Sequence, residues 1–559
     1  MTPGNPSAPF PPFPTPPLRY SETSPDARTG EEDFLASVQG NILKGHGREH
    51  QRFVFFRFNS PEAGRAFLRE AAAEGGQLGE NRWVCSALNQ RVQRGAWHRA
   101  WQAEQLLANP GRQLEANRPY FHYDDAMLRS LVRIAETQLF SSLMLSLAGL
   151  KFLGLEPPAS EEFAGGMKAR MTSMLEPGEM SAAPYHSAAG FHGMFLLACD
   201  SRPRLAAYAD TLSTWCRKHK VTLLQEFEEG FAWRKKRSPY GNGYRPPREP
   251  FGFADGISQP QFFTDQRTEP PMRGAAYPPA WKWVDLRLDQ VFLTEPGHVG
   301  GSLVALLKIE QKVATFRAHE ARVARLLRRK FRLPPRVARY VAPAVMMGRT
   351  REGYPLHEVL DRLQPAEAGL RALFPAGPAA PDPRDPCARP PAPPAWLNEF
   401  DFEPRPMGPQ APVRGCPFHM HARKMNPRTA ASVHGHADTF VAAQPVRRGA
   451  TYDPLGLLPR AERNGGRPWP DGKVGLLFLA YMSDLQRQFE QTHTHWSRDP
   501  TFVEAGGVDP VLAQPDPAQT PVAQTFGGSR LPKMPKVLKR LGGSYLYAPS
   551  IPWLRNAGR

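Results

Sequence analysis

Short apolar runs alternate with amphipathic stretches along this chain, and the alternation occurs twice. Val54-Phe55-Phe56-Arg57-Phe58 has the aromatic and β-branched make-up of a strand. The stretch from Ser60 to Glu74 reads as a helix, with Ser60 able to cap it and Pro61 at its first position, where a missing N–H costs nothing. A second apolar stretch, Ser142 to Leu155, stops at the breaker Gly154-Leu155-Glu156-Pro157-Pro158. Gly193 to Ala198 predicts a buried strand, and Arg204 to about His219 a helix. The theme then repeats. A strand from Ser302 to Ile309 precedes a basic helix from Gln311 to Lys330. A strand from Gly475 to Tyr481, a helix from Asp484 to Trp496 and a strand from Gly543 to Pro549 follow. A few strands with helices outside them, in two successive sets, predict an α+β chain.

Proline alters this picture locally. The 61 Pro and 47 Gly of the 559 residues are clustered, which implies ordered domains carrying Pro-rich loops. Residues 1–31 are Pro-rich and then polar, and predict a disordered or polyproline tail. Residues 374–396 predict a long loop. With 41% hydrophobic residues there is material for more than one core, divided here into halves at 32–250 and 251–559.

The net charge of +18 favours anionic partners. The densest basic stretches are Arg234 to Arg237 and Arg322 to Arg339, and the second begins with the spacing of a solvated helix face. No zinc finger or aromatic-basic pattern accompanies them, so nucleic acid is not an expected partner. The five cysteines form no CxxC pair and are odd in number, which argues against a disulfide framework and for a reducing compartment. The N-terminus has no charged-then-apolar leader, and no apolar run approaches the ~20 residues needed to span a bilayer. The expectation is a cytoplasmic protein without a membrane span.

Histidine carries the candidate chemistry. Three pairs share the H-x-H spacing: His419 with His421, His434 with His436, and His493 with His495. On a strand, positions i and i+2 share a face and can offer two nitrogens to copper, zinc or non-haem iron. The third pair lies in a helix pattern, where i and i+2 diverge, and is the weakest.

Two segments sharpen the reading. One is Cys416-Pro417-Phe418-His419-Met420-His421-Ala422-Arg423-Lys424-Met425-Asn426-Pro427-Arg428; the other is Gly252-Phe253-Ala254-Asp255-Gly256-Ile257-Ser258-Gln259-Pro260. In this order they resemble the proximal-histidine and Gly-x-x-Asp-Gly motifs of the dye-decolourising (DyP-type) haem peroxidases. Val38 to Gly47, Gly300 to Gln311, Met347 to Leu356, Arg447-Arg448-Gly449 and Gly475 to Leu479 also resemble that family, in the expected order. The likeness runs from about residue 35 to the C-terminus.

The resemblance implies a fold of two ferredoxin-like halves, each an antiparallel sheet with peripheral helices, as in dimeric α+β barrels. It implies haem b as cofactor, with His421 as the metal ligand, Asp255 as the distal proton shuttle and Arg447 as the cation that steadies departing hydroxide. Gly252 and Gly256 would let backbone approach the porphyrin, Arg423 would help to bind it, and Leu476 and Phe478 would line the distal pocket. Asp509 is the candidate support for the axial histidine. Hydrogen peroxide and organic donors such as dyes and phenolics would be the substrates, with Trp496 and Tyr481 as candidate surface electron-transfer residues. The oligomeric state stays open, a homo-oligomer included. Three departures bear on the site: His419 stands where the family has a small residue, a long insertion separates Asp255 from His421, and Thr451-Tyr452-Asp453 replaces Pro-Tyr-Gly. The rival readings are a non-haem metalloenzyme built on the H-x-H pairs, a haem-binding protein without significant turnover, and a basic binder of an anionic polymer.

Overall fold

A computed structural model of the chain describes residues 10–14, 18, 31–73, 83–93, 139–186, 190–234, 246–256, 259–260, 262–263, 287–356, 417, 419–427, 440, 442–463, 468–502, 506–513 and 523–558. The predicted loop 374–396 and the pair His434 and His436 lie outside the described residues.

The first strand, β1 (His50–Phe58), is longer than its apolar run because it is paired along both edges, to β3 (Gly193–Cys199) and β4 (Val221–Phe231). The helix Pro61–Ala71 starts where predicted, with Ser60 Oγ accepting from Ala63 N at 3.2 Å. The stretch from Ser142 to Leu155 divides in two. Phe140–Leu145 is β2, and Ser146 then caps the helix Leu147–Leu153, which ends at Gly154 with φ 65°. The helix Arg202–Lys218 leads into β4, whose run of Glu226, Glu228 and Glu229 hid it in the sequence. This β1-helix-β2-β3-helix-β4 unit has the sheet order β2-β3-β1-β4, antiparallel throughout.

The second half repeats the unit with β5 (Ser302–Lys312), β6 (Val446–Arg447), β7 (Ala450–Tyr452), β8 (Asp471–Met482) and β9 (Leu538–Ala548), in the order β9-β5-β8-β7. The halves join through two single-residue bridges, Tyr547 with Leu145 and Phe231 with Thr451, so the strands close into one ring. Strand alternation then assigns the faces. Phe53 and Phe55 of β1 pack inward with Met194, Leu306 and Leu479. Val54, Phe56 and Phe58 pack outward under the helices, against Phe67, Leu205 and Leu212. This is the predicted α+β architecture of two ferredoxin-like halves.

Three expectations are corrected. Part of the segment read as a tail is packed: Leu18 is fully buried and bonded to Phe262, while Phe10 and Phe13 ring Phe34. Isolated apolar anchors between prolines suffice where a ready-made surface receives them. The basic helix starts later, at Val313, because β5 runs on to Lys312. The basic run from Arg322 to Arg339 is not one solvated face. It breaks after Phe331 at Arg332 (φ 54°), resumes in the helix Pro335–Met347, and buries Val323, Ala324 and Leu327.

His319 on the helix Val313–Phe331 is 3% exposed, and burial, aided by Arg322, pushes its pKa down to about 4. The unfolded imidazole titrates near 6.5, so the unfolded chain binds the extra proton first. Its contribution to stability is therefore complete above pH about 6.5 and is lost as pH falls toward about 4. Thermal melts between pH 7 and 4.5 should fall steadily, and His319→Leu should remove roughly 1–3 kcal/mol of that decline. An unchanged slope in the variant counts against this account.

Candidate active site

The outward face of β8, the turn at 249–256, the turn at 349–353 and the short helix His421–Met425 surround a cavity of about 290 Å³. That is at the lower edge of the about 300–1,000 Å³ usual for small-molecule pockets. His421 opens its helix, with its ring at the cavity and its Nδ1 2.7 Å from Asp509 Oδ2. Asp509 is fully buried, and its other oxygen accepts from Val511 N at 2.8 Å and Leu512 N at 3.0 Å. Burial pushes this carboxyl up, but His421 and the two backbone donors outweigh it and leave the group below the usual carboxylate range. An ionised Asp509 makes Nδ1 the N–H donor, which leaves Nε2 with a free lone pair.

Asp255 also lines the cavity. Its N–H donates to Pro247 O and that of Ala254 to Arg351 O, both at 2.8 Å, and Asp255 Oδ1 accepts from Gly256 N at 2.7 Å. The turn before it is clamped by Glu249, which accepts from Phe251 N and Phe253 N at 2.9 Å and from Gln311 Nε2 at 2.8 Å. Gly256 lines the cavity with φ 77°, a backbone conformation that an L side chain rarely adopts.

Strand alternation brings Leu476 and Phe478 of β8 to the same cavity wall. The two adjacent arginines have separate tasks. Arg447 lines the cavity; enclosure lowers its pKa, and Asp255 draws it back up. Arg448 points toward the first half, donating to Asn41 O at 2.8 Å and Ile42 O at 2.9 Å.

No family model matches the chain. A multifunctional dye peroxidase from Amycolatopsis sp. is 24% identical over 94% of this chain and 97% of its own. A dye-decolorizing peroxidase from Mycetinis scorodonius is 24% identical over 97% of this chain and 90% of its own. The solved structure of the Amycolatopsis dye peroxidase superposes with a TM-score of 0.64 at 22% identity, covering 97% of this chain and 99% of that one. A DyP-type peroxidase from Anabaena sp. gives 0.62 at 22% identity and 97% coverage of both chains. In sequence and in fold the chain is similar to DyP-type peroxidases.

Within this DyP-type frame, two residues expected at the cofactor lie elsewhere. Gly252 (φ 95°) is not in the cavity lining; it lines a neighbouring pocket, where an added Cβ would sit 2.9 Å from Arg317 Nη2. Arg423 is 2% exposed and absent from the lining, because its position on the one-turn helix turns it inward. His419 does not line the cavity beside His421 either. It is 1% exposed, outside the cavity, and burial pushes its pKa down to about 4. Trp496 and Tyr481 are not surface residues: they are 3% and 1% exposed. Tyr481 occupies an inward position of β8, and Trp496 stacks on Phe502.

Two cavity residues were missed by the motifs. One is Glu249, which burial pushes above the usual carboxylate range. The other is His493, from the pair ranked weakest. It lines the cavity, packs tilted against Phe489 with ring centroids 4.3 Å apart and donates from Nδ1 to Phe489 O at 3.0 Å; burial pushes its pKa down to about 4. Its helix is of the π type over Gln486–Glu490 and Thr492–Trp496, so the 3.6-residue period misplaces its faces.

Proposed function

We propose that this chain is a haem peroxidase that reduces hydrogen peroxide and oxidises organic donors, dyes and phenolics among them, in one-electron steps. The observation that carries the reading is the Asp509-held His421 sharing one cavity with Asp255 and Arg447. A structural neighbour, a dye-decolorizing peroxidase solved with 2,6-dimethoxyphenol, has a TM-score of 0.60 at 22% identity and adds a phenolic donor to the reading.

The donor set fits haem b. Among the described residues no three His, Cys, Asp or Glu come together to hold an ion. Haem would bring its own nitrogen ligands and ask one further base of the protein, which the cavity offers in His421. His421 Nε2 would hold the iron, and the Asp509 carboxylate on Nδ1 would strengthen its donation. Haem, when bound, would supply the redox chemistry for peroxide reduction and one-electron donor oxidation. Asp255 would take up and return a proton on peroxide held in the cavity, helping water to leave. Arg447 would offset the negative charge that develops on the peroxide oxygens. Leu476 and Phe478 keep the surroundings dry, which strengthens both effects.

The H-x-H rival lacks an assembled site among the described residues, since His419 is buried away from the cavity and His495 is exposed while His493 lines it. No helix among the described residues is long and apolar enough to cross a membrane. A cytoplasmic location is our reading of the three free thiols buried among the described residues, Cys85, Cys199 and Cys216.

The purified chain should show a Soret band and oxidise 2,6-dimethoxyphenol only when peroxide is added. Bound copper or zinc without a Soret band would overturn the reading in favour of the metalloenzyme. A Soret band without peroxide turnover would leave a haem-binding protein.

A further inference from the structure

A second pocket, of about 390 Å³, lies on the far side of the turns that wall the cavity. Phe251 and Phe253 line the cavity while Gly252 lines this pocket; Thr350 and Gly353 line the cavity while Arg351 and Glu352 line this pocket. We propose that this second pocket binds a planar aromatic anion, a sulfonate or carboxylate carried on a flat ring system. The proposal stands whether or not the neighbouring cavity turns over peroxide.

Charge is the first argument. Arg248, Arg317, Arg339 and Arg351 line the pocket against Glu352 and Glu462. Two of the four are committed to the wall. Arg248 donates to Gly252 O at 2.6 Å and lies 3.5 Å from Glu352, and Arg351 donates to Phe251 O at 3.1 Å and pairs with Glu320. The other two have capacity left. Arg317 has a loose contact to Glu320 at 3.6 Å, and its Nε is buried with no hydrogen-bond partner. Burial and the nearby Arg351 push the Arg317 pKa down to about 10, so an incoming anion would relieve an enclosed cation. Arg339, exposed on the helix Pro335–Met347, makes no ion pair among the described residues.

Shape is the second argument. Trp233, Tyr340 and Trp469 line the same pocket, and the Arg317 guanidinium lies over the Trp469 ring at 4.8 Å. A guanidinium stacked on an indole presents a flat cationic platform, which suits a ring bearing an anionic group better than a bare phosphate. Gly252 belongs to this device. A side chain there would press on Arg317 Nη2, as well as strain a backbone at φ 95°.

The test is calorimetric titration of the full chain, without peroxide, using 2-naphthalenesulfonate. Neutral 2-naphthalenemethanol and inorganic sulfate are the comparison probes. The sulfonate should bind at least tenfold tighter than either, and more weakly as salt is raised. Arg317→Met should cost about tenfold or more, and Arg339→Gln about fivefold. Because Arg339 is exposed, its variant should melt like the parent and keeps the test readable if Arg317→Met unfolds. Equal binding of the alcohol or of sulfate overturns the proposal, as does parental affinity in Arg339→Gln.

Discussion

Replacing His421 with Ala should abolish the Soret band of the purified protein and reduce peroxide-dependent turnover to background. The fold should survive, because the ligand helix is anchored by other residues: Lys424 Nζ donates to Asp499 O at 2.8 Å and Phe502 O at 3.2 Å. Added imidazole should restore part of the band by occupying the space the side chain left. The milder change Asp509→Asn keeps the ring in place but removes the charge behind Nδ1. It should cost about 10–100-fold in haem affinity or turnover, as loss of an outer partner of a ligating histidine typically does. A parental spectrum in His421→Ala would remove this residue from the cofactor and the proposed function with it.

The second large effect is expected on the peroxide side. Asp255→Ala should leave the Soret band intact while kcat/KM for peroxide falls by about 10²–10⁴, the range for loss of one positioned proton-transfer group. Stopped-flow mixing with peroxide isolates that step from donor oxidation. Gly256 N would lose its acceptor on Asp255, but the turn keeps its Glu249 clamp, so a melt close to the parent is expected. If peroxide reacts at the parental rate in Asp255→Ala, the proton is handled elsewhere, and Glu249 and His493 become the groups to test.

The sequence made the fold legible wherever one signal dominated. Ser60 with Pro61 marked a helix start, and the apolar runs of β5 and β8 marked central strands. β4 was hidden because its outer positions carry glutamates, so neither alternation nor an apolar run stands out. At the candidate site the motifs pointed to His421, Asp255 and Arg447, which meet in one cavity although 166 residues separate the first two. Motifs report spacing along the chain and not which way a residue turns. Gly252, three positions before Asp255, therefore looked like a cofactor contact and instead faces the arginines behind the wall. His493 was discounted by a helical period that its π-type helix does not obey. Glu249 carried no sequence signal, since its role comes from backbone N–H groups that only the folded turn aims at it.

Arg448 gives the two halves a dependence that their repeated topology does not suggest. Its guanidinium is fastened to the carbonyls of Asn41 and Ile42, so the cation next to it in the cavity is aimed by a stretch four hundred residues upstream. A fragment starting at residue 251 would carry His421, Asp255 and the arginine pair, yet lack the two carbonyls that hold the Arg448 guanidinium. The strands repeat, but the cavity does not belong to one repeat alone: the first half holds the arginine beside Arg447.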